Sequence, residues 1–263
     1  MIKKDITLNV DGIAINGQLF IPGQIHPYPT VCLCHGIPAG DRPEPNDGGY
    51  PLLAENICRQ GLNVFIFNFR GTGISGGNID LLGWTKDLAA VIDHLYLLPE
   101  VDKSHIAVLG FSGGAAVSIC VAARDNRINY LAACACPAEF YRLTEADDAA
   151  SWIDHFRKIG AIRDDNFPRS TEEWLDGFRF VSPVEYVSQI APRPLLLIHA
   201  KDDETVSISH AHRLYERARE PKQLVVLDAA GHKLRRDQRV LTEFIRWLVS
   251  HLQGHKALVF NRL

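Results

Sequence analysis

Gly110-Phe111-Ser112-Gly113-Gly114 sets a serine among glycines, directly after the apolar run Ile106–Leu109 and before the small-residue run Ala115–Ala123. A G-x-S-x-G match alone carries little weight, because it arises by chance; its place between a strand-like and a helix-like segment carries more. Such a junction holds the serine in a strained backbone geometry, and the glycines let strand and helix approach without a Cβ clash. It also puts Ser112 near a helix N-terminus, where the dipole and free N–H groups favour negative charge. The chemistry of that arrangement is nucleophilic acyl transfer. A serine hydroxyl is a poor nucleophile at pH 7, so it needs a base, and the base needs a group to orient it.

Eleven histidines are available as the base, so position must choose among them. His232 follows Ala229-Ala230-Gly231, just past the apolar run Leu224–Asp228. Loops at the C-terminal ends of parallel strands are where α/β sheets place their chemistry. His210 and His212 fall in a polar helical stretch, and His251 and His255 in the C-terminal tail, all four expected at the surface. His155 lies within residues 137–190 and could line a pocket, but a core or surface role is expected. The orienting acid should follow an earlier strand. Leu195–Ala200 runs into Lys201-Asp202-Asp203-Glu204, three adjacent carboxylates among which spacing does not select. Donors for a developing oxyanion are expected at Gly113, the residue after the nucleophile, and at Ile37, in the stretch Cys34-His35-Gly36-Ile37-Pro38. Pro38 has no N–H and is excluded.

These residues need a frame. Asp5–Val10 and Ile13–Ile21 flank the hairpin signal Asp11-Gly12, and the further runs Thr30–Cys34, Asn63–Phe69, Ile106–Leu109, Tyr130–Cys136, Leu195–Ala200 and Leu224–Asp228 are apolar at nearly every position. Between them lie helical periods: Trp84, Leu88, Val91, Ile92 and Leu95, and Val240, Leu241, Phe244, Ile245 and Leu248. The pattern predicts an α/β fold with a mostly parallel, twisted, eight-stranded sheet, an antiparallel N-terminal hairpin and helices on both faces. Only residues 137–190 break the alternation, with helical patches at Ser151–Ile162 and Thr171–Phe180. An insert of about 50 residues exceeds ordinary connections and is expected to form a small helical cap over the sheet's C-terminal edge. Its aromatics Trp152, Phe156, Trp174, Phe178 and Phe180 are candidates for an apolar substrate pocket, or for packing that joins cap to sheet.

Composition narrows the class. The chain has 263 residues, a formal charge of −3, 46% apolar and 22% charged residues, as expected of one globular domain spanning 1–263. The near-neutral balance gives no electrostatic footprint for nucleic acid or an anionic membrane. No segment approaches the roughly 20 apolar residues of a membrane span, and the polar N-terminus does not read as a signal peptide, so a cytoplasmic location is expected. Cys32, Cys34, Cys58, Cys120, Cys134 and Cys136 lie mostly in apolar runs and are expected as buried thiols rather than metal ligands or disulfides. Neither a cofactor nor a metal is expected. A homodimer is compatible with the sequence, but no heptad or apolar patch demands one.

The pieces His35-Gly36, Asn68-Phe69-Arg70-Gly71-Thr72-Gly73-Ile74-Ser75-Gly76, the turn at Ser112, His199–Val206 and Ala230-Gly231-His232 together resemble the α/β-hydrolase superfamily over nearly the whole chain. The order serine, acid, histidine is that of this superfamily. The likeness is greatest to small dienelactone-hydrolase-like, cinnamoyl or feruloyl esterase-like and serine aminopeptidase-like hydrolases. In that branch the acid lies four residues after a strand-end histidine and three before a valine, so the resemblance implies Asp203 and a Ser112–His232–Asp203 triad. Two departures are Asn68, where relatives often carry Asp, and Ala200, where many carry Gly. Serine at the nucleophile position speaks against a haloalkane dehalogenase and against the Cys nucleophile of authentic dienelactone hydrolases.

The expected function is a serine hydrolase of small-molecule carboxylic esters working through an acyl-enzyme. An aminopeptidase or amidase would need cap carboxylates, such as Glu139, Glu145, Asp147 or Asp148, to hold an amine; a thioesterase would use the same acyl chemistry. A ligand-binding homologue without turnover is the alternative outside catalysis.

Overall fold

Two adjacent left-handed residues, Asp11 at φ 54° and Gly12 at φ 80°, turn the chain back on itself and join β1 (Ile2–Val10) to β2 (Ile13–Ile21) in an antiparallel pair. The computed structural model describes residues 1–24, 27–40, 47–140 and 149–252. After the hairpin come β3 (Tyr28–Cys34), β4 (Asn63–Phe67), β5 (Val101–Phe111), β6 (Tyr130–Cys134), β7 (Leu195–Ala200) and β8 (Lys222–Leu227). They form one eight-stranded sheet in the order β1-β2-β4-β3-β5-β6-β7-β8, antiparallel at β1–β2 and β2–β4 and parallel from β4 to β8. This is the α/β-hydrolase fold.

Helices cover both faces: α1 (Gly49–Cys58) and α8 (Gln238–His251) on one, α2 (Leu81–Leu97), α3 (Gly113–Ala122) and α7 (Ile208–Arg217) on the other. The alternation of β3 shows the two-sided burial that makes its sequence uniformly apolar. Cys32 and Cys34 enter the α2–α3 core, whereas Val31 and Leu33 enter the α1–α8 core. All six cysteines are buried thiols. Every residue of α3 is buried, so its small side chains set how closely it lies under β5. Trp84, Leu88, Val91, Ile92 and Leu95 form the buried stripe of α2.

Strand ends differ from the sequence expectation by a few residues. The strand expected over Tyr130–Cys136 stops at Cys134, because Ala135 takes a positive φ of 49° that extended backbone does not allow. β8 starts at Lys222, earlier than its apolar run, since pairing to β7 carries Lys222 and Gln223 into the ladder. β5 starts at Val101, which pairs with Tyr28 before a register shift that bypasses the polar residues 102–105. His210, expected at the surface, is half-buried, and its Nδ1 accepts the Ala138 N–H at 3.0 Å. His251 is likewise half-buried against Trp247 and Tyr130, and His255 lies outside the described residues.

Within 137–190 the structure places α4 (Ala149–Lys158), α5 (Thr171–Phe180) and the short α6 (Pro183–Tyr186). Ser170 caps α5, its Oγ accepting the Glu173 N–H at 3.2 Å. The connection between α4 and α5 is tied to the turn after β4. Arg163 donates to Ser75 O at 2.6 Å and Gly73 O at 2.9 Å, and Asn78 Oδ1 accepts the N–H groups of Arg163 and Asp164. That turn is itself anchored, because buried Arg70 meets buried Asp87 of α2 at 2.7 Å. No helix among the described residues is long and apolar enough to cross a membrane.

Candidate active site

Ser112 stands between β5 and α3 with φ 50° and ψ −121°, a left-handed backbone for a residue that has a Cβ. Its N–H donates to Cys134 O at 2.8 Å, which fixes the turn against the end of β6. The space around it explains the glycines. A Cβ on Gly36 would come within 3.0 Å of the Ser112 Cβ, and one on Gly114 would lie 2.2 Å from His35 O. Any side chain there would separate the loop after β3 from the turn after β5.

The structure brings Ser112, His232 and Asp203 together, from the ends of three strands. Ser112 Oγ lies 3.0 Å from His232 Nε2, and His232 Nδ1 lies 2.8 Å from Asp203 Oδ2 and 3.0 Å from Oδ1. The choice among the three carboxylates is thereby made by contact: Asp203 meets the imidazole, and its side chain is fully buried. Burial pushes the Asp203 carboxyl up, but hydrogen bonds from His232 and from the Val206 and Thr205 N–H groups outweigh it and hold the carboxyl below its usual value. An ionised Asp203 favours the proton on Nδ1 of His232, which leaves Nε2 as acceptor for the serine hydroxyl.

Ile37 and Gly113 also meet. A Cβ on Gly113 would lie 3.3 Å from Ile37 N, and neither N–H donates to an acceptor among the described residues. Two adjacent unsatisfied donors beside a nucleophile can hold an oxyanion.

Two histidines that the sequence reading left without a role support this geometry. His35 Nε2 accepts the Phe69 N–H at 3.2 Å, so its proton sits on Nδ1 and is donated to Gly36 O at 2.8 Å. Gly36 C=O and Ile37 N–H belong to one peptide plane, so that bond also aims the Ile37 donor. His199 Nε2–H donates to Val206 O at 2.7 Å and lies 3.5 Å from Asp203 Oδ2, bracing the turn that carries the acid. Burial lowers the pKa of both rings and keeps them neutral. The sequence signal was their place at the ends of apolar runs; the contacts needed the fold.

The insert's aromatics divide. Phe156, Trp174 and Phe178 are almost wholly buried and stack edge to face in one cluster, with Trp174 Nε1–H donating to Ile79 O at 2.9 Å. They pack the helices of the insert against one another and against the segment that leads into α2. Trp152 is half-buried and packs edge-on against His155. A Cβ on Gly40 would lie 3.8 Å from His155 Cε1, which places that ring over the loop after β3. Glu139 is engaged by Arg213 through both carboxylate oxygens, and Glu145, Asp147 and Asp148 lie outside the described residues.

A sequence model of the prolyl oligopeptidase family matches residues 53–255. The chain is 27% identical to the uncharacterized protein YfhR of Escherichia coli K12 over 226 residues, 84% of this chain and 70% of that one. Among solved structures it is similar to the α/β hydrolase GrgF from Penicillium sp. sh18, with TM-score 0.73 and 19% identity over 95% of this chain and 99% of that one. It is also similar to ferulic-acid-bound Est1E from Butyrivibrio proteoclasticus, with TM-score 0.70 and 18% identity over 93% and 99% of the two chains.

Proposed function

This chain belongs to the prolyl oligopeptidase family, and on that premise we propose that it is a serine hydrolase of small-molecule carboxylic esters. The observation that carries the reading is the continuous hydrogen-bonded path from Ser112 Oγ through His232 to Asp203. His232 Nε2 takes the hydroxyl proton as Ser112 Oγ attacks the ester carbonyl, and Asp203 stabilises the imidazolium that forms. The N–H groups of Ile37 and Gly113 hold the tetrahedral oxyanion. The imidazolium returns its proton to the departing alkoxide, leaving an acyl-Ser112 ester. Water, deprotonated by His232, then attacks that acyl group, and the proton goes back to Ser112 as the carboxylic acid leaves. In this reading the whole chain acts as one domain, with the insert at about 137–190 as its cap and half-buried Trp152 as a candidate for the pocket wall.

The family match favours a second reading, cleavage of an amide or peptide by the same triad. As an aminopeptidase it would require an anchor for the substrate amine; of the candidate carboxylates Glu139 is engaged by Arg213, and Glu145, Asp147 and Asp148 lie outside the described residues.

Incubation of wild type, Ser112→Ala and His232→Ala with a fluorophosphonate, followed by p-nitrophenyl esters of increasing acyl length and amino-acyl anilides, tests both. The ester reading expects labelling of wild type alone and ester turnover that falls by at least about 10⁴-fold in Ser112→Ala. Labelling with anilide but no ester turnover would establish the second reading instead. Equal ester turnover by wild type and Ser112→Ala would reject the triad.

A further inference from the structure

We propose that Asp202 is a positioning residue for His232: its carboxylate holds the loop between β8 and α8 in the conformation that aims the imidazole at Ser112. The inference rests on the triad reading above. The loop is conformationally costly, since Ala229 has φ 51° and Gly231 has φ 60°, and a left-handed alanine persists only when its surroundings impose it. Alternating backbone of this kind turns successive N–H groups toward one point and makes a concavity for an anion. Asp202 Oδ1 fills that place, accepting the Ala230 N–H at 3.0 Å and the Gly231 N–H at 3.2 Å. From α8, Arg239 donates to Asp228 O at 3.0 Å, and its guanidinium is itself braced by Asp237. The loop is thus held through its N–H groups by one side chain and through a carbonyl by another.

The adjacency of Asp202 and Asp203 then has a division of labour. One turn after β7 carries both carboxylates: Asp203 meets the ring of His232, and Asp202 meets the backbone leading into it. The turn is tied to the end of β8 by Lys201 N–H donating to Leu227 O at 2.8 Å, so ring and loop share one frame. The two N–H groups hold the Asp202 carboxyl below its usual value, and it stays ionised through the neutral range. Asp202 is exposed and packs no core, so its replacement removes no buried contact.

The test compares wild type, Asp202→Ala, Asp202→Asn and, as reference, Glu204→Ala, an exposed neighbour. Two readouts are taken: the rate of fluorophosphonate labelling and the proton resonance of His232 Nδ1–H, assigned with His232→Ala. Asparagine keeps an acceptor oxygen but no charge. Positioning therefore predicts labelling slowed about 10- to 100-fold in Asp202→Ala, with a broadened Nδ1–H resonance. Asp202→Asn should stay within about threefold of wild type and Glu204→Ala unchanged. Wild-type rate and resonance in Asp202→Ala would overturn the proposal. An equal loss in Asp202→Asn and Asp202→Ala would overturn it too, assigning the effect to charge on the imidazole. Absence of labelling in wild type would reject the triad reading, while the resonance would still decide whether Asp202 orders His232.

Discussion

At the scale of the residue, the site depends on which atom of each ring carries a proton. Asp203 is fully buried, yet hydrogen bonds from two backbone N–H groups and from His232 hold its carboxyl below the usual value, which in the proposed mechanism fixes the imidazole tautomer. Asp203→Asn preserves shape but presents an amide N–H or an uncharged oxygen to Nδ1. Turnover of the best p-nitrophenyl ester should fall by about 10⁴-fold with KM little changed. Steady-state kinetics on a folded variant check this, and a fall of less than tenfold would remove Asp203 from the triad. The serine, the histidine and the three adjacent carboxylates were legible in the sequence, because each stands where an apolar run ends. Which carboxylate faces His232 was legible only by resemblance. The contacts of Asp202, His35 and His199 were not legible, because each depends on a backbone group brought in by the fold: the Ala230 N–H for Asp202, the Phe69 N–H that sets the tautomer of His35, and Val206 O across the turn for His199.

At the scale of the element, the positions of α3 and the insert are set by contacts of opposite kinds. α3 lies against β5 because glycine and alanine let backbones touch; Gly110 has no room for a Cβ, which would sit 2.6 Å from Ala115 Cα. The insert is held by large rings. Phe156 is fully buried among Trp152, His155 and Trp174. Phe156→Ala should destabilise the protein by about 3–5 kcal/mol in urea unfolding, by lost transfer energy and the cavity left behind. Because the ring packs instead of lining a surface, the fluorophosphonate labelling rate at low temperature should stay near that of wild type. A large rate change with no loss of stability would return Phe156 to the pocket wall. From sequence these aromatics fell in two helical patches and read equally as pocket or packing, because a pocket wall and a packing face have the same period.

At the scale of the whole molecule, burial of neutral histidines makes stability depend on pH. His35, His94 and His199 all have pKa values lowered from the usual 6.5 by burial. In the unfolded chain these rings take up protons as pH falls through 6.5, whereas the folded protein refuses them until lower pH. Their contribution is therefore fully present above pH 6.5 and is lost between 6.5 and the lowered values. The melting temperature should fall on acidification from neutral pH toward pH 5, and less steeply in His199→Gln, whose amide can still donate to Val206 O. Identical pH slopes for the two proteins would show that His199 is not linked to folding.

The order of strands, the two-sided burial of the central sheet, the hairpin at Asp11-Gly12 and the turn that presents Ser112 are all legible in the sequence by itself, whereas α1 is not. Each legible feature follows from local rules: which residues tolerate a left-handed backbone, and which period an element must show to bury one face or two. Tertiary structure alone decided what those rules do not reach. Asp203 is 91 residues from Ser112 and 29 from His232 along the chain, and they meet because β5, β7 and β8 run parallel and end at the same edge. The positive φ of Ala135 that ends β6, the burial of the insert's aromatics and the two N–H groups gathered by Asp202 arise only once those strands are side by side. Contacts between distant segments depend on which faces meet in three dimensions; a period marks that a face is buried but not what it is buried against.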